Sequence, residues 1–118
     1  MAGHDGLPNF RRGVMSLVIL SLLKNEDMYG YQLVQETALR SGGHLTTQEG
    51  SLYPVLYKLL DQGYISDKRV PVGKRMTRIY YHLEPAGAAH LNELIREYEA
   101  ITSGVLQIIK SEEGQENE

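Results

Sequence analysis

TTQEGSLYPVLYKLLDQGYISDKRVPVGKRMTRIYYHL, residues 46–83, changes its hydrophobic period once, and that change decides the fold. In the first half Leu52, Leu56 and Leu59 recur at helical intervals up to Gly63, which is the spacing of one buried helix face. Thr46 followed three residues later by Glu49 matches a capping box, so the helix is expected to start near Thr47. Pro54 falls within its first two turns, where a missing N–H costs least. After Gly63 the period drops to two, and residues 64–70 (YISDKRV) and 78–83 (RIYYHL) read as strands. In the second strand Ile79, Tyr81 and Leu83 fall on one face and Arg78, Tyr80 and His82 on the other. Pro71, Val72, Gly73, Lys74, Arg75 and Met76 between them supply turn residues and positive charge.

Upstream, residues 10–24 are too apolar for an exposed amphipathic helix and read as a largely buried one. A second helix over residues 29–40 places Tyr31, Val34 and Ala38 at helical spacing, with Leu33 alongside, and stops at Ser41, Gly42 and Gly43. Residues 1–9 hold two Gly and a Pro and are expected to form a flexible arm. Downstream, residues 85–110 form one long helix in which Leu91, Leu94, Tyr98, Ile101, Val105 and Ile108 follow the seam of a coiled coil, with Ile95 beside it. About 25 residues at 1.5 Å each make a rod of roughly 38 Å, longer than a small domain needs for its own core, so a partner helix is expected. The acidic tail, residues 111–118, has no apolar side chain and is expected to be disordered. The resulting fold class is mainly α with a small β-hairpin. Three helices followed by a two-stranded basic hairpin over residues 10–84 is the order of a winged helix-turn-helix, and a C-terminal dimerisation helix follows it.

With 118 residues and no Cys, the chain reads as a single domain without disulfides, suited to the cytoplasm. The longest apolar run, VMSLVILSLL at residues 14–23, is about half of the length needed to span a bilayer, and no cleavage site for a signal peptide follows it. The histidines His4, His44 and His82 are scattered, and Gly42-Gly43 follows a helix instead of preceding one, so neither nucleophilic catalysis nor a phosphate loop is expected. His90, Glu93 and Glu97 share one helical face, but no further ligand completes a metal site, so neither metal nor cofactor is expected. The net charge of −3 hides an asymmetry: residues 1–83 carry ten basic and seven acidic side chains, residues 84–118 two and eight. Such a division suits a first part that meets a polyanion and a second that stays away from it.

The candidate contacts to that polyanion lie on two elements. On the third helix the inward leucines leave Ser51, Pro54, Tyr57, Lys58 and Asp61 outside, with Tyr53 between the two faces. Hydroxyls there can donate to phosphates or base edges, and Lys58 can neutralise a phosphate. The hairpin carries Lys68, Arg69, Lys74, Arg75 and Arg78, placed where the adjacent groove or backbone of a duplex would lie. Arg11 and Arg12 at the start of the first helix oppose its dipole and add possible backbone contacts. A solvated helix face and a hairpin charged for solubility would look alike in isolation. The order of the elements favours DNA, while a module using the same surface on a protein partner stays open. Tyr98, the only aromatic on the long seam, either packs there or forms a plate for a flat ligand.

Three stretches carry a resemblance: MYGYQL at residues 28–33, GSLYPVLYKLLDQGYI at residues 50–65, and IYYHLEPAG at residues 79–87. Over about residues 10–110 the chain resembles the PadR family of bacterial transcriptional regulators, in its short-chain subgroup. The resemblance implies a homodimeric winged-helix repressor joined through its C-terminal helix, an inverted-repeat operator in double-stranded DNA, and response to small aromatic or drug-like compounds. It implies DNA contacts from Ser51, Tyr53, Pro54 and Lys58 and from the basic wing, and makes Tyr98 the candidate for stacking an aromatic effector. The wing departs from the family pattern, since GKRMTRIYY sets Met76 and Thr77 between the basic pair and the Tyr-Tyr strand.

Overall fold

The computed structural model of the chain describes residues 2–116 and, within them, the side chains of residues 13–114. The elements run α1 (Ala2–Leu23), β1 (Met28–Tyr29), α2 (Gly30–Arg40), α3 (Glu49–Asp61), β2 (Ile65–Val72), β3 (Met76–Leu83) and α4 (Pro85–Glu116). This is the expected winged helix-turn-helix followed by a long C-terminal helix.

The core is a single cluster in which α1 supplies Met15, Ile19, Leu20, Leu22 and Leu23, and α3 supplies Leu52, Val55, Leu56 and Leu59. Around them close Met28, Leu33, Ile65, Tyr81 and Leu91. On α2 the buried face is Gly30, Leu33 and Thr37, whereas Tyr31 is exposed, so the inward stripe is turned from the one that Tyr31 and Ala38 suggested. Thr37 is admitted because its hydroxyl donates to the Leu33 carbonyl at 2.7 Å, and among the described residues no buried side-chain nitrogen or oxygen lacks a hydrogen-bond partner. Between α2 and α3 the Ser41 hydroxyl accepts from the Leu45 N–H at 2.9 Å and ties the turn.

The expected two-stranded hairpin is a three-stranded antiparallel sheet in the order β1-β3-β2. Met28 and Tyr29 pair with Tyr81 and Tyr80, covering the edge of β3 that the hairpin alone would leave open. β2 runs two residues beyond its expected end, through Pro71, which pairs with Thr77. An edge strand tolerates a residue without an N–H. The wing tip shortens to Gly73, Lys74 and Arg75, and Gly73 takes φ +72° there. Gly63, at φ +77°, turns the chain from α3 into the wing.

Both ends of the chain are more helical than composition suggested. The helix α1 starts at Ala2, within the stretch expected to be a flexible arm, and α4 continues to Glu116, through most of the tail expected to be disordered. Propagating an existing helix adds one hydrogen bond per residue, a cooperative gain that residue-by-residue composition does not register. Glu and Gln are good helix formers, and Gly114 opposes the extension by only about 1 kcal/mol. Residues 1, 117 and 118 lie outside the described residues. No helix among the described residues is long and apolar enough to cross a membrane.

The helix α4 leaves the domain after docking on the base of the wing. Gly87 is buried against the Tyr64 carbonyl, which also accepts the Glu84 N–H at 3.0 Å, and Leu91 inserts into the core. The His90 ring stacks on Tyr64 with centroids 4.2 Å apart and planes 9° off parallel, so this histidine packs the joint. Beyond Ile95 the helix loses contact with the core, which stretches the molecule to 68 × 31 × 25 Å.

Candidate nucleic-acid interface

The buried leucines of α3 orient its remaining side chains. With Leu52, Leu56 and Leu59 inside, Ser51, Pro54, Tyr57 and Lys58 are all exposed along one front, as the periodicity required. Pro54 stands on that exposed side, where the carbonyl it leaves unpaired can be hydrated. Beside this front a groove of about 960 Å³ opens between α3 and α1, with Met15 and Ser16 on one wall and Ser51, Pro54 and Lys58 on the other.

Tyr53 is held more firmly than its neighbours. Its ring is half-buried against Gly30 and stacks on Tyr57 with centroids 6.1 Å apart. Its hydroxyl donates to Glu49 Oε2 at 3.0 Å. Burial, followed by that bond and the nearby carboxylate charge, raises the Tyr53 pKa, so the phenol remains a donor. The capping box expected from Thr46 and Glu49 is not formed, because the residue before the helix is Gln48 and makes no side-chain cap bond. Glu49 has its carboxylate on Tyr53, one turn along the helix, instead of on the preceding backbone.

A second cleft, of about 350 Å³, separates the start of α3 from the wing and is lined by Tyr29, Glu49, Tyr53, Arg78 and Tyr81 among others. Tyr81 is 2% exposed, and burial, then the charges of Tyr53, Tyr57 and Asp67, push its phenol up to about 12. The Arg78 guanidinium lies 4.4 Å from the centroid of the Tyr29 ring, a cation–π contact, and Tyr29 meets Tyr80 edge-on at 5.4 Å. Arg78 is therefore half-buried and engaged with β1, whereas Lys68, Arg69, Lys74 and Arg75 stand exposed on the wing. Nothing in the sequence linked Arg78 to Tyr29. The Glu49–Tyr53 bond spans four residues on a helix and was visible in principle. The side chains of Arg11 and Arg12 lie outside the described residues.

On α4 the expected seam divides in two. Leu91 is 2% exposed and belongs to the chain's own core, and Leu94 and Ile95 are half-buried against that core. Tyr98, Ile101, Val105 and Ile108 remain exposed, joined by Leu106 and Ile109, which the seam pattern did not include. Six large apolar side chains on a projecting helix form a surface of the kind that marks an interaction site. The arrangement offers an exposed hydroxyl- and cation-bearing helix front, a basic wing sharing a cleft with it, and a bare apolar rod.

The family model described as the transcriptional regulator PadR-like family matches residues 19–93. The chain is 35% identical over 98 residues to the transcriptional regulator Rv3488 of Mycobacterium tuberculosis, covering 82% of this chain and 87% of that protein. It is 25% identical over 92 residues to the negative transcriptional regulator PadR of Bacillus subtilis, and spans only 50% of that protein's length. Among solved structures it resembles a PadR family transcriptional regulator from Eggerthella lenta with a TM-score of 0.77 at 26% identity, covering 92% of each chain. It also resembles Bacillus subtilis PadR in complex with operator DNA, with a TM-score of 0.65 at 26% identity over 70% of this chain and 47% of that one.

Proposed function

Because the chain belongs to the PadR-like family of transcriptional regulators, we propose that it is a homodimeric, sequence-specific DNA-binding repressor. The observation that carries this reading is the joining, in one small domain, of the exposed front of α3 to a wing with four exposed cations. The similar Bacillus subtilis protein was solved with operator DNA, which supports the same role for this surface. In the proposed complex α3 lies in a major groove with Ser51, Pro54, Tyr57 and Lys58 towards the duplex. Tyr53 backs the helix, and Lys74 and Arg75 neutralise flanking phosphates. Arg11, Arg12 and Arg78 are secondary backbone contacts, the last only after leaving Tyr29.

The exposed residues Tyr98, Ile101, Val105 and Ile108 of two copies cover one another, which sets the two reading helices about 34 Å apart for an inverted repeat. A small aromatic effector stacking on Tyr98 releases the DNA if it prefers a different spacing of the two helices. Fluorescence anisotropy on labelled DNA from upstream of the protein's own gene tests the reading. Saturation at two chains per site, resistant to scrambled competitor, is the expected result. Equal weak binding to both duplexes would instead favour a protein partner for the same surface.

A further inference from the structure

We infer that Glu49, held in place by Tyr53, reads the exocyclic amino group of a cytosine in the major groove. The inference rests on the proposal that α3 enters that groove. Glu49 is the first residue of α3 and is exposed, and the N-terminal residues of a recognition helix are the ones that meet base edges. A carboxylate there has a helical benefit through the dipole, but among phosphates it repels the backbone and weakens association. A group with that cost needs a use on the DNA, and its surroundings show which.

The carboxylate is anchored. One oxygen accepts the Tyr53 hydroxyl at 3.0 Å, and Tyr53 is itself wedged against Gly30, where an added β-carbon would stand 2.9 Å from the phenol oxygen. No basic side chain among the described residues forms an ion pair with Glu49. The pair therefore presents acceptors and no donor, because the only phenol proton is committed to the carboxylate. Guanine offers two acceptors in the major groove, thymine an acceptor and a methyl, and adenine a donor beside an acceptor. In the base pair the adenine amino group lies between its own N7 and the thymine O4, whereas the cytosine amino group has the guanine O6 on one side only, so cytosine is the edge that an acceptor-only site meets with least repulsion. Tyr53 acts here as a positioning residue, holding the carboxylate at the start of α3.

Binding-site selection from a randomised duplex, carried out with the wild-type protein, Glu49→Gln and Tyr53→Phe, tests this. The wild type is expected to enrich a cytosine at one position of each half-site, with about tenfold discrimination. Glu49→Gln is expected to accept any base at that position while keeping the rest of the motif, because a carboxamide can donate as well as accept. Tyr53→Phe is expected to keep the cytosine with weaker discrimination. The same cytosine enriched by Glu49→Gln, or a wild-type motif that Glu49→Gln leaves unchanged throughout, would overturn the assignment while leaving the DNA-binding proposal standing. A wild type that enriches no motif would overturn both.

Discussion

Gly30 at the start of α2 and Tyr53 on α3 are in direct contact, the glycine giving the room in which the phenol reaches Glu49. The close approach joins the two helices of the helix-turn-helix at the point where the candidate reading surface begins. Gly30→Ala is expected to leave a cooperative thermal transition but to displace Tyr53 and lose its bond to Glu49, worth about 1 kcal/mol. Affinity for operator DNA, measured by anisotropy, should fall about fivefold; an unchanged affinity would detach Tyr53 from DNA reading.

The joint between wing and α4 is less tolerant. A β-carbon on Gly87 would fall onto the Tyr64 carbonyl oxygen and against Leu83, and the first obstacle is backbone. Gly87→Ala should therefore cost about 3 kcal/mol. A lowered urea midpoint at constant slope would report it.

The apolar face of α4 predicts the oligomeric state. Ile101 and Ile108 are 59% and 66% exposed, so charging them leaves the folded domain intact and acts only on what covers the face. Ile101→Glu with Ile108→Glu should sediment as a monomer with unchanged far-ultraviolet circular dichroism. A double variant that still sediments as a dimer would place the interface elsewhere.

Lys58 is exposed on the α3 front. If it neutralises a phosphate, Lys58→Ala should reduce the slope of log affinity against log salt by about 0.9 per protomer, with little change in base preference. Equal slopes for both proteins would remove Lys58 from the phosphate contacts.

The imidazole of His82 and the Asp27 carboxylate lie 2.7 Å apart, tying β3 to the turn before β1. The hydrogen bond to Asp27, with the charges of Asp27 and Glu84 and against a smaller effect of burial, raises the His82 pKa above 6.5. A raised folded-state value means that the pair stabilises the fold fully below the ordinary histidine pKa and loses that effect as pH rises through the raised one. Both side chains are about half exposed, at 55% and 53%, so the effect is small and screened by salt. The difference in melting temperature between the wild type and Asp27→Asn should be present near pH 5.5 and absent near pH 8.5. A difference that does not vary with pH would show that the pair does not titrate.

The order of the elements was legible in residues 46–83 because the change from helical to alternating spacing there is a property of the chain alone. The inward leucines of α3, and hence its exposed front, followed from the same spacing. The bare part of α4 was legible as well, since Tyr98, Ile101, Val105 and Ile108 repeat at coiled-coil intervals.

Other features exist only in three dimensions. The strand β1 has two residues, too few to show a period, and forms because β3 offers it an edge. Leu91 has the spacing of a seam residue, but its height on α4 puts it opposite the core of its own domain. Glu49 has the spacing of a capping box, but Tyr53 is the group within its reach. Arg78 follows the wing pattern of its neighbours, yet the pairing of β1 with β3 brings the Tyr29 ring under its guanidinium. Periodicity along the chain determines which side of an element is apolar. What each side chain meets there depends on elements distant in sequence, and only their packing decided it.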